Sequence, residues 1–110
     1  EVTGKTVKTG TFVGIGADPV TIQTGLSKIE QLIIYAPVTE VKSYGICSLV
    51  YNGSKAYATG ASYGSYSSTI TFDVGTVSVS GGNMTYTPLS DKRYTRTLEN
   101  VTYNWIAIGS

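Results

Sequence analysis

Residues 101–110 read VTYNWIAIGS, and they place the single tryptophan and the most apolar run of the chain at its very end. Chain ends fray unless something holds them. As a strand, this stretch puts Val101, Tyr103, Trp105 and Ala107 on one face. The other face starts polar, with Thr102 and Asn104, and finishes apolar, with Ile106 and Ile108. A strand that is apolar on both sides belongs inside a sheet and needs cover front and back. The segment is therefore expected to be a central strand, with Trp105 in the core.

Working outward, the rest of the chain favours the same class. Its 110 residues suit one domain, and they include 13 glycines and 9 tyrosines. Thr, Tyr, Val and Ile favour pleated strands, while Gly with Asn, Asp or Ser marks turns. No dozen residues combine helical spacing with a capping signal. The weak exception is GLSKIEQL, residues 25–32, where a single turn is conceivable. Strands are expected at residues 6–13, 19–24, 30–36 and 44–51. Asn52-Gly53 forms a hairpin signal toward the next strand. SSTITFDV (67–74) alternates, with Ile70, Phe72 and Val74 inward and Thr69, Thr71 and Asp73 outward. Gly75 breaks that run and TVSVS resumes it; GGN (81–83) turns into MTYTP. A loop over 89–100 precedes the closing strand. Eight or nine short strands at this spacing predict an all-β, antiparallel β-sandwich built as a single domain over residues 1–110.

A second strand shares the two-faced character of the ending. In QLIIYA (31–36), Leu32 and Ile34 point one way, Ile33 and Tyr35 the other. Either loops cover the second face or another subunit does. Large exposed apolar patches are rare on monomers, so self-association is the expectation, with Ile33, Tyr35, Asn104, Ile106 and Ile108 as subunit-interface residues.

The chemistry excludes much. There is no histidine, which removes the usual general base and a common zinc ligand. The seven acids are dispersed, without a paired-carboxylate or calcium-loop spacing. No enzyme activity, metal or cofactor is expected. The lone Cys47 rules out an internal disulfide and reads as a buried small hydrophobe. The glycines of TGTFVGIGAD lack the following helix and Lys of a phosphate cradle. Net charge is +1, and the one cationic cluster, DKRYTR (91–96), is too small for duplex binding, so no nucleic-acid partner is expected. No apolar run is long enough to span a membrane. The start, EVTGKTVKTG, has neither a signal-peptide pattern nor an initiator Met. A chain processed or cut from a longer one is expected.

What remains is tyrosine in polar loops. Tyr57, Tyr63 and Tyr66 lie on or beside GASYGSYSS (60–68), and Tyr94 lies among Asp91, Arg93 and Arg96. Tyrosine supplies contact area at low entropy cost, and small polar neighbours adapt to a ligand. A sugar presents C–H faces to rings and hydroxyls to Asp and Arg. These seven residues are the candidate ligand-binding set; the alternative is that such tyrosines pave sheet edges and subunit contacts.

The ending YNWIAIG resembles the final strand of H-type lectin domains, which close on a Trp-x-Ala-Ile-Gly pattern. It is also similar to the C-terminal domains of many phage tail and tail-fibre proteins, which close on an aromatic-Ile-Ala-aliphatic-Gly variant. TGTFVGIGADPVTIQTGLSKIEQLIIYAP (9–37) looks like the Gly-Thr-Phe-x-Gly-x-Gly opening of the phage version, although GLSKIE replaces its Gly-Phe-x-Pro-Lys element. The resemblance implies an H-type-lectin-like sandwich that assembles as a homotrimer. It implies a host-surface or carbohydrate recognition module of a phage tail fibre or baseplate, located in the virion or outside the cell. Two further readings stay open: a fibre-tip or trimerisation cap with no ligand, and a secreted bacterial lectin or adhesin.

Overall fold

The structure, a computed structural model, describes residues 5–36, 45–61, 70–72, 76–90 and 95–110. Among these residues nine strands follow one another: β1 (Thr6–Val13), β2 (Val20–Gln23), β3 (Ile29–Tyr35), β4 (Gly45–Tyr51), β5 (Ala56–Ala61), β6 (Ile70–Phe72), β7 (Thr76–Ser80), β8 (Asn83–Thr87) and β9 (Thr102–Gly109). Every strand pair is antiparallel. A six-stranded sheet has the order β1-β9-β3-β4-β5-β6, and a three-stranded sheet has the order β2-β8-β7. The chain is thus antiparallel β in two sheets, an arrangement compatible with a β-sandwich. No α-helix occurs among the described residues. Residues 25–32 make no helical turn: Leu26 is tucked into the core and Ile29 already begins β3.

β9 is a central strand, paired with β1 on one side and β3 on the other. Its burial alternates as the sequence pattern requires, with Tyr103, Trp105, Ala107 and Gly109 buried and the residues between them half-buried or exposed. Beyond it, Ser110 accepts from the backbone N–H of Ser27 at 2.7 Å and of Lys28 at 3.0 Å, and donates to Lys28 C=O at 3.1 Å. These bonds hold an end that would otherwise fray.

One core cluster draws on both sheets: Val20, Ile22, Met84 and Tyr86 from the small one, and Leu32, Ile34, Leu49, Trp105 and Ala107 from the large one. Phe12 and Tyr103 face each other across β1 and β9, their rings stacked with centroids 5.0 Å apart. Cys47 is only half-buried, packed against this core where the β4–β5 register shifts between Ile46 and Ser48. Burial raises its thiol pKa, which disfavours the thiolate form.

The turns carry the chemistry expected of them. Gly53 and Gly81 adopt positive φ of 96° and 58°, which glycine does without a Cβ penalty. Asn52 Oδ1 accepts from Ser54 N–H at 3.0 Å and Lys55 N–H at 2.8 Å, closing the β4–β5 hairpin. The run expected over 67–74 becomes β6 in the large sheet, and β7 follows in the small one. Of that run, only the backbone of 70–72 lies within the described residues.

Candidate functional site: the outer face and the loop end

Two features of the large sheet bear on function, its solvent side and one of its ends. Register places cross-strand partners on the same face. On the side away from the core, Thr9, Ile106, Ile33, Val50 and Tyr57 form one row running from β1 to β5. The next row is Thr11, Asn104, Tyr35 and Ser48. Val7 pairs with Ile108, and Val13 lies opposite Thr102. Val7, Val13, Ile33, Tyr35, Val50 and Tyr57 each leave 36–60% of their surface open, and Asn104, Ile106 and Ile108 are half-buried. The five expected interface residues therefore lie together on one face. Val50, Val7 and Val13 join them. Their signal in the sequence is the adjacent Leu49-Val50 pair, and the alternation of TVKTGTFV with Val at both ends.

Strand directions gather several strand ends at one end of the large sheet. Val13 ends β1 opposite Thr102 at the start of β9, Tyr35 ends β3 opposite Asn104, and Gly45 opens β4 opposite Ala61. Residues 14–19 and 95–101 lie at this end. The strand ends that flank 37–44 and 62–69 point to it as well. Lys5, Ser110 and the tight turns at 52–55 and 81–82 lie at the opposite end.

The loop end is laced by residues 95–98, which ordinary loop composition does not betray. Thr95, Thr97 and Leu98 are buried. Arg96 C=O accepts from Ile46 N–H at 2.8 Å, and Thr97 N–H donates to Gly16 C=O at 3.2 Å. Thr97 Oγ1 accepts from Ile15 N–H at 3.0 Å. The Tyr86 hydroxyl donates to Thr95 C=O. The Tyr103 hydroxyl donates to Ile46 C=O at 2.6 Å and accepts from Leu98 N–H at 2.7 Å. Burial pushes the Tyr103 pKa well above the ordinary tyrosine value. Among the described residues no buried side-chain polar atom is without a partner.

Of the seven candidate ligand-binding residues, two are described. Arg96 is half-buried on this fixed backbone at the loop end. Tyr57 stands in the apolar row of the outer face, away from Arg96. Tyr63, Tyr66, Asp91, Arg93 and Tyr94 lie outside the described residues. Among the described residues no three His, Cys, Asp or Glu side chains gather to hold a metal, and no helix is long and apolar enough to cross a membrane. Glu30, at the start of β3, pairs with Lys5 at the end away from Asp18 and Glu99.

No family model matches the chain, and neither a curated protein nor a solved structure matches it significantly.

Proposed function

We propose that the chain is a non-catalytic recognition module that works as a homotrimer, of the kind found in phage tail fibres and baseplates, with a host-surface glycan as its ligand class. The apolar row Ile106–Ile33–Val50–Tyr57 carries the reading. Leaving such a row in water forgoes about 25 cal/mol for each Å² of apolar area that a neighbour could cover. Association through the outer face removes that cost. It also leaves the loop end free, and a module tethered on the side of Lys5 presents that end outward. Copies held together bind a multivalent surface far more tightly than one copy does.

The test is capture of intact bacterial cells by the wild-type protein and by Ile33→Glu, whose buried charge should dissociate the assembly without touching the core. Wild type is expected to be trimeric by light scattering at micromolar concentration and to bind cells. The monomeric variant is expected to bind at least a hundredfold more weakly. A trimer that binds neither cells nor a glycan array favours the cap without a ligand. A wild-type monomer overturns the reading altogether.

A further inference from the structure

We propose that the polar row of the outer face, Thr11–Asn104–Tyr35, sets the register in which copies of this chain meet. This rests on the association through the outer face proposed above and deepens it.

A second copy suits the face on two grounds. Neither the apolar nor the polar row contains a charged residue. Nothing in either row repels a second copy by charge, whatever the symmetry of the assembly, and a charged partner would call for a complement that is absent here. The extent also fits. Five strands at strand spacing and eight residues of strand length span about 600 Å² in projection, close to the roughly 800 Å² that each partner contributes to a standard interface.

The two rows then have different jobs. An apolar row tolerates sliding, because any aliphatic neighbour covers it. An amide does not: Asn104 brings two donors and an acceptor that need partners once water is gone. It lies directly between Thr11 on β1 and Tyr35 on β3, and each of these brings a hydroxyl. In the proposed register the polar rows of neighbouring copies face one another, and a shift of two residues along the strand would set this row against Ile106 and Ile33 of the neighbour and leave the amide unpaired. A single polar position within an apolar contact selects one geometry at some cost in affinity.

Native mass spectrometry with sedimentation equilibrium tests this on the full chain, comparing wild type with Asn104→Val, Tyr35→Phe and Ile33→Glu. Wild type should show one stoichiometry. Asn104→Val should assemble at least tenfold more tightly and spread over several stoichiometries. Tyr35→Phe, a milder change, should broaden the distribution the same way, and it serves if Asn104→Val does not fold. Retention of a single wild-type stoichiometry by the folded variants, or their collapse to monomer, overturns the register role. An Ile33→Glu protein that assembles like wild type overturns the association itself. Monomeric Ile33→Glu beside a single-state Asn104→Val overturns the register role alone.

Discussion

Gly10 and Trp105 are cross-strand partners, and the indole lies over the glycine: a Cβ built on Gly10 would stand 2.5 Å from Trp105 Cζ2 and 2.6 Å from Cε2. The opening TGTF and the closing NWIAIG, a whole chain apart in sequence, are thus hydrogen-bonded neighbours, and the bulk at one end requires the gap at the other.

Gly10→Ala should therefore destabilise the fold although alanine suits a strand no worse than glycine. The methyl meets a rigid ring that is itself almost fully buried, and such overpacking costs about 1–3 kcal/mol. For a domain of this size each kcal/mol lowers Tm by roughly 4–8 °C. The double change Gly10→Ala, Trp105→Leu should lose less than the sum of its parts. Thermal denaturation of the three variants measures the coupling, and strict additivity would sink the steric account.

Tyr103→Phe should cost about 1–3 kcal/mol with the ring stack on Phe12 intact. The hydroxyl is the partner of two backbone groups, Ile46 C=O and Leu98 N–H. Removing it strands both in the core. Urea unfolding should show a lower midpoint at unchanged m-value. A variant as stable as wild type would mean that water replaces the hydroxyl.

The same hydroxyl makes stability fall in alkali. Its pKa is raised in the fold, chiefly by burial, with the charges of Cys47 and Tyr86 adding and the Leu98 bond opposing. The neutral phenol is thus favoured when folded, and its contribution is complete below the unfolded value of about 10. The contribution drains away as pH climbs from there toward the folded value, at up to about 1.4 kcal/mol per pH unit. Wild type should lose stability above pH 10 more steeply than Tyr103→Phe by up to one proton. Parallel profiles for the two proteins would remove Tyr103 as the cause.

The strands were legible because their patterns are local. Alternation alone assigns Tyr103, Trp105 and Ala107 to the core side of β9 and Ile106 and Ile108 to the other, and it separates Leu32 and Ile34 from Ile33 and Tyr35; burial agrees at each position. Asn52-Gly53 marks its hairpin for the same reason. The 95–98 lacing was not legible. Thr95 and Thr97 are buried because Gly16, Ile46 and Tyr86 come to them from far along the chain, and nothing in TRTL announces those partners. Proximity in sequence groups Tyr57 with the polar loop, yet register with Val50 puts it on the sheet face. Neighbourhood along the chain and neighbourhood across a sheet diverge most at strand ends, where it stands.

Thr97→Val should loosen the loop end while sparing the sheets. The replacement keeps the shape but gives Ile15 N–H no acceptor and ends the contact with Gly16 C=O. Loss of one part-buried bond costs about 1 kcal/mol. Hydrogen exchange should speed up at Ile15 and its neighbours by roughly tenfold or less, with β3 and β9 amides slowed as in wild type. Uniform acceleration through β9 would show that residue 97 supports the whole fold and not the loop end alone.

Association through the outer face has a signature that distinguishes it from a contact made by the charged loops. The apolar and polar rows contain no Lys, Arg, Asp or Glu, and Lys5 and Glu30 pair with each other within the chain. Screening shortens the reach of surface charge to about 3 Å at 1 M salt, yet has nothing here to act on. Apolar burial strengthens slightly in kosmotropic salt and carries a negative heat-capacity change. The dissociation constant should thus change less than threefold between 50 mM and 500 mM sodium chloride and should fall in sodium sulfate. Isothermal dilution at several temperatures should return a negative heat-capacity change for assembly. A contact through Arg96 and its neighbours would behave in the opposite way, weakening severalfold as salt rises, and that outcome would move the interface from the sheet to the loop end.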